Sequence, residues 1–147
     1  MTSTPEPALR ALLDRAAIQD VLLRYARGVD RRDLDLVASC FTPDASYEGA
    51  LGRHTISEAL ATLRTALLRY RSTLHFLGNQ VIELAGDTAC SETYALAYHR
   101  LPDERSLVVA VRYLDDLVRR DERWLICGRV ARTEWQRYDA LVLPATS

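Results

Sequence analysis

The sequence predicts an α+β fold, three helices packed on the concave face of a curved, mostly antiparallel sheet. Two observations carry that prediction. Apolar residues recur at helical spacing as far as about Tyr70, and at two-residue spacing after Arg71. The later stretch also divides into long segments, 72–85, 88–100, 105–119 and 123–136, joined by short turns. Helices followed by hairpin-linked strands bury one sheet face under the helices. A curved sheet covered in this way encloses a cone, a shape that suits a small apolar ligand.

Residues 1–7 hold two prolines among small polar residues and read as a disordered lead-in. From Ala8, the series Leu9, Leu12, Leu13, Ala16, Ala17, Val21, Leu22 and Tyr25 predicts a helix of about five turns, ending near Gly28. Asp30 then falls just past the helix end. Leu34, Val37, Ala38 and Phe41 predict a short second helix over 31–41, which Pro43 stops. Ala45 to Gly49 reads as a strand, and Gly49 with Gly52 marks a loop. Thr55 or Ser57 caps a third helix with Glu58 in its first turn, and that helix reaches about Tyr70. Gly86-Asp87 makes the turn between the first two long strands. One domain over 8–140, with a tail at 141–147, accounts for the chain.

Composition narrows the function. A formal charge of −1 gives no basic stripe for nucleic acid. All 19 basic residues are Arg, so no lysine amine exists for Schiff-base chemistry. Cys40, Cys90 and Cys127 form no C-x-x-C pair, and their apolar surroundings predict buried thiols. No run approaches the roughly 20 apolar residues that span a bilayer. The first residues lack the charged and apolar regions of a secretory leader. The expectation is therefore a cytoplasmic protein that binds neither membrane nor nucleic acid. No glycine-rich phosphate loop and no set with metal spacing is present, so neither a cofactor nor a metal is expected.

The order α-α-β-α-β-β-β-β, with RAAIQD (15–20), GVDRRD (28–33), LHFLGN (74–79) and SLVVAVRYLDDLVRRDERW (106–124), resembles the cone-shaped α+β barrel of the nuclear transport factor 2 superfamily. More narrowly it resembles the SnoaL-like branch, which includes scytalone dehydratase, bile-acid 7α-dehydratase and hexachlorocyclohexane dehydrochlorinase. The resemblance implies an acid–base pair at Asp30 and His75. It also implies a strand tyrosine at Tyr47 and a strand arginine at Arg129. Two positions depart from the pattern. Tyr25 stands where the dehydrochlorinase has Lys, and the strand 105–119 lacks the second histidine of scytalone dehydratase.

The chemistry of the pair is tautomer control. A carboxylate that accepts one imidazole N–H leaves the other nitrogen as a base. His75 shares a strand face with Leu77 and Asn79. Arg129 either faces inward with Ala131 and Thr133, or exchanges places with Arg132 through a one-residue bulge. Tyr25, Tyr47 and Tyr94 either offer hydroxyls to a ligand or fill the core. His54 and His99 read as surface residues. The reading is a cofactor-independent lyase or isomerase, dehydratase-like, acting on a mostly apolar cyclic molecule. An epoxide-hydrolase-like enzyme and a non-catalytic binding domain are the alternatives. The strand 105–119 is apolar on both faces over Leu107–Val111, which predicts a homo-oligomer, a trimer or else a dimer, built on the outer sheet face.

Overall fold

The computed structural model describes residues 6–142. Three helices pack against a six-stranded, curved, unclosed sheet, as the element pattern predicts. The helices are α1 (Glu6–Arg31), α2 (Leu34–Ala38) and α3 (Ile56–Leu67). The strands are β1 (Phe41–Gly49), β2 (Gly52–Thr55), β3 (Ser72–Ala85), β4 (Thr88–Arg100), β5 (Arg105–Arg120) and β6 (Arg123–Ala140). The order across the sheet is β2-β1-β6-β5-β4-β3, and every pairing is antiparallel except that of β1 with β6.

Glu6 and Pro7 belong to α1, so the expected lead-in is shorter than 1–7; residues 1–5 and 143–147 lie outside the described residues. Proline fits a first helical turn, where its missing N–H has no helical partner to lose. The other end of α1 also differs from expectation. Gly28 sits inside the last turn, and Arg32 takes the left-handed conformation beyond it (φ 57°). Arg32 N donates to Val29 O at 3.1 Å and Asp33 N to Gly28 O at 2.9 Å, which caps the helix with two turn hydrogen bonds. Gly28 is there because α2 crosses closely. A Cβ on it would meet Val37 Cγ2 at 2.7 Å. Asp33 then caps α2 by accepting from Leu36 N at 3.0 Å.

β1 begins at Phe41, earlier than expected, and tolerates Pro43 because its pairing with β6 is irregular between Phe41 and Ser46. The loop predicted around Gly52 contains the short strand β2. Thr55 caps α3 in a capping box with Glu58, and α3 ends at Leu67 rather than Tyr70. β6 continues to Ala140, past the predicted end at 136.

Ile18, Leu22, Val37, Leu117 and Ile126 form the centre of the core between α1 and the sheet. At one end of α1, the buried Asp14 accepts from Arg119 Nη1 and Nη2 at 2.9 and 3.1 Å and from Trp124 Nε1 at 3.0 Å. This ties the first helix to the β5–β6 hairpin. Cys40 is buried as expected, whereas Cys90 is exposed and Cys127 half-buried. Cys90 belongs to the outward-facing set of β4, in which odd-numbered residues turn inward. Among the described residues, no helix is long and apolar enough to cross a membrane.

Candidate active site

The helices and the concave sheet face enclose a largely apolar cavity of about 400 Å³. Leu60, Leu63 and Leu67 of α3 line one side, and Ala97, Val109 and Ala131 line the sheet side. Its polar groups come from Tyr25, Tyr47, Tyr70, Tyr113, His54, His75 and His99, with Thr62, Thr133 and Gln136.

The end of α1 brings Asp30 against β3. Its Oδ1 lies 2.7 Å from His75 Nδ1 and accepts from Thr73 Oγ1 at 2.9 Å. Its Oδ2 accepts the His75 backbone N–H at 2.8 Å. Alternation on β3 sends the side chains of Thr73 and His75 to the same face, so one short stretch of strand provides all three donors. Burial pushes the Asp30 carboxyl up. The hydrogen bonds from the His75 ring and backbone, with that from Thr73, outweigh it and hold the group below the usual carboxylate value. A carboxylate only accepts, so His75 Nδ1 carries the proton and Nε2 is left as the lone-pair nitrogen. The His75 side chain is nearly buried and lines the cavity, while Asp30 stands behind it.

The tyrosines form the other polar wall. Tyr25 packs edge-on against Tyr113 and Phe41, with ring centroids 5.7 and 6.0 Å away. Burial, followed by the proximity of Tyr25, raises Tyr47 well above the ordinary tyrosine value, so its hydroxyl stays protonated. Behind these rings lies Arg129, fully buried. Its Nε and Nη2 donate to Asp115 at 2.6 and 2.8 Å. Its guanidinium sits 4.1 Å from the Tyr25 centroid and 4.3 Å from that of Tyr113. Burial opposes its charge, but Asp115 more than compensates and the group remains cationic. Cys127 is an extra residue between the Ile126–Leu117 and Gly128–Asp116 pairs, and this bulge sets the inward face of Arg129. Arg132 is exposed.

Several expectations are therefore corrected. Arg129 points inward but does not line the cavity, because Tyr25 and Tyr113 stand between. Tyr94 is on the outer sheet face, half-exposed, with Arg112 5.9 Å from its ring centroid. Alternation on β4 places it there, opposite in parity to Ala97 and His99. Asn79 does not share the face of His75, because β3 shifts register between Leu77 and Gln80. His99 and His54 line the cavity instead of lying wholly on the surface. His99 was legible in principle: it continues the inward series Thr93, Ala95, Ala97 at two-residue spacing.

The fold defines a class, the cone-shaped α+β domains of the nuclear transport factor 2-like superfamily. The chain belongs to the SnoaL-like domain family, whose pattern matches residues 10–130. An uncharacterized protein of Mycobacterium tuberculosis is 30% identical over 131 residues, covering 84% of this chain and 88% of the relative. The crystal structure of hexachlorocyclohexane dehydrochlorinase LinA-type3 from Novosphingobium barchaimii superposes with a TM-score of 0.82 and 25% identity, over 93% of this chain and 99% of that one. A putative scytalone dehydratase from Novosphingobium aromaticivorans has the same fold, with a TM-score of 0.80 at 23% identity over 90% of this chain and 91% of the other.

Proposed function

We propose that the protein is a cofactor-independent lyase or isomerase that removes a proton from a mostly apolar cyclic molecule. The observation that carries this reading is the 2.7 Å contact between Asp30 and a His75 that lines an apolar cavity. His75 Nε2 takes the C–H proton, and Asp30 orients the ring and stabilises the imidazolium that forms. A positioned base of this kind contributes roughly 10²–10⁴-fold in rate. The hydroxyls of Tyr25 and Tyr47 meet the oxygen or leaving group that gains negative charge. Arg129 acts through Tyr25, since a cation over that ring strengthens its O–H as a donor. One structural neighbour bears the name of a dehydrochlorinase, which fits elimination from such a molecule. A hydrolase of the Asp/Arg/Asp kind is disfavoured because Arg129 and its carboxylate Asp115 are sealed behind Tyr25 and Tyr113.

The test does not require the natural substrate. Incubated in D₂O with a panel of cyclic ketones, the wild-type protein should exchange an α-hydrogen of at least one ketone for deuterium, read by proton NMR. His75→Ala should stop the exchange while the circular dichroism spectrum is unchanged. Exchange that survives in His75→Ala, or ketones that bind without exchange, would remove the base from the mechanism and leave a binding domain.

Assembly belongs to the same proposal. Leu74, Phe76 and Trp135 on the outer sheet face are 57%, 64% and 45% exposed, which makes that face apolar and open. Val108 and Ala110, the outward residues of the segment that prompted the expectation, are already buried within the single chain. The exposed surface lies on β6 and on the edge strand β3. A trimer, or else a dimer, would cover it.

A further inference from the structure

Leu9, Leu12 and Leu13 belong to the apolar series that predicts α1, yet none of them enters the core. The buried face of the helix carries Ile18, Val21, Leu22 and Tyr25 instead. On the opposite face Leu9, Leu12, Leu13 and Leu23 are between 51% and 65% exposed, and Ala16 lies exposed among them. At about 100° of turn per residue, the heptad positions Leu9, Ala16 and Leu23 fall on one narrow stripe. A single exposed leucine is ordinary, but several on one helix face form a contiguous apolar patch.

The stripe is its own complement. When two copies of α1 lie antiparallel with Ala16 against Ala16, Leu9 of each copy meets Leu23 of the other. Ala16 carries only a methyl group, so the helix axes can approach to about 8 Å there. The charges select the direction. Glu6 lies in the first turn and Arg27 near the other end, both exposed beside the stripe. Neither makes an ion pair among the described residues. In the antiparallel register each Arg27 comes within one residue, about 1.5 Å of helix rise, of the other copy's Glu6. A parallel pair would set Glu6 against Glu6 and Arg27 against Arg27. Asp20 borders the stripe beside Ala16 and keeps that edge wet.

We propose that α1 is a second contact surface, on which two copies of this chain pair by their first helices, antiparallel about a two-fold axis at Ala16. This surface is distinct from the outer sheet face, since α1 covers the inner one, and both contacts can be made at once. The stripe from Leu9 to Leu23 is about 21 Å long, so the area it covers is at the low end of specific interfaces. The pairing therefore forms above the micromolar range and doubles whatever assembly the sheet face makes. None of the stripe residues lines the cavity, so the chamber is the same in the paired and unpaired forms.

Sedimentation velocity of the full chain, from micromolar to near-millimolar concentration, reads the pairing directly. The mass should double across that range, and Leu9→Glu should hold it at the lower value with an unchanged circular dichroism spectrum. Glu6→Arg should weaken the doubling, and Glu6→Arg with Arg27→Glu should restore it. Phe76→Glu, which acts on the sheet face, should still pass from one chain to two. Cysteine placement tests the register. In a Cys90→Ser, Cys127→Ser background, Ala16→Cys should form a disulfide between chains on oxidation, because Cα atoms beside the axis fall within roughly 4–7 Å. Gln19→Cys, off the axis, should not. A mass that stays constant with concentration, doubling that survives Leu9→Glu, a charge exchange that restores nothing, or linkage through Gln19→Cys as readily as through Ala16→Cys overturns the proposal. Binding to phosphatidylglycerol vesicles without pairing in solution would give the leucines to a lipid surface and overturn it as well. The deuterium-exchange test reads the cavity alone, so it can fail while the pairing stands.

Discussion

At the scale of single residues, Asp30 and His75 form one hydrogen-bonded unit. Asp30→Asn retains the shape but presents an amide where a carboxylate fixed the tautomer. Exchange activity should fall by about 10²–10⁴-fold, with ligand binding nearly unchanged in a titration. Acid stability gives a second readout. The Asp30 carboxyl lies below its ordinary value of 3.8 in the folded protein, so its contribution to stability is present above that pH and is lost as the pH falls through the lower, folded-state value. Asp30→Asn should flatten that part of the unfolding curve; an unchanged acid limb would mean that the carboxylate gains nothing from folding. Arg129 makes a different prediction. Asp115→Asn leaves a buried cation among aromatic rings and should lower stability by about 3–5 kcal/mol in urea unfolding. The joint replacement Arg129→Met with Asp115→Leu should recover most of the loss, and a single-variant cost below about 1 kcal/mol would show that the pair does not hold its region. The sequence let Asp30 and His75 be paired because strand alternation and family resemblance point to the same two positions. It did not reveal that Tyr25 and Tyr113 screen Arg129, since that depends on how a helix side chain meets two strands.

At the scale of elements, periodicity located the long strands to within a few residues, because their turns are short and their inner faces are apolar. It failed where tertiary contacts decide. β2 is four residues long and GRHT has no apolar alternation, so only its pairing with β1 makes it a strand. Gly28 resembled a helix terminus but serves the crossing of α1 and α2. The two roles predict opposite effects of Gly28→Ala. In a plain helix interior alanine would stabilise by about 1 kcal/mol. Here its Cβ would collide with Val37 and should destabilise by about 1–3 kcal/mol in thermal or urea unfolding. Adding Val37→Ala should give non-additive relief. Stabilisation by Gly28→Ala alone would show that the helices separate freely. Because Asp30 lies one half-turn beyond the crossing, the same variant should also weaken the exchange activity.

At the scale of the whole molecule, the open outer face makes a prediction about mass. Light scattering at micromolar concentration should give the mass of three chains, or else two. Phe76→Glu, which places a charge on that face, should reduce it to one chain. A wild-type monomer would require the exposed Leu74, Phe76 and Trp135 to be tolerated in water. The sequence points to an outer interface through the apolar run Leu107–Val111, but the exposed apolar residues are on β3 and β6. A single strand read alone cannot tell which neighbours will shade it.

The parallel pairing of β1 with β6 has a temporal consequence. β1 is made early during synthesis, yet its neighbour in the sheet on the side away from β2 is the last strand to be made. Until residues near 130 have left the ribosome, β1 and β2 form only a small two-stranded ribbon, and such ribbons are marginally stable alone. Asp14 waits equally long for Arg119 and Trp124. The hairpins β3–β4 and β4–β5 can form as they emerge, but the chamber that holds Asp30 against His75 closes only when nearly the entire chain is present. Loop closure over such spans is slow, so the nascent chain passes through a long interval in which its apolar inner sheet face is uncovered and dependent on the cell's protection.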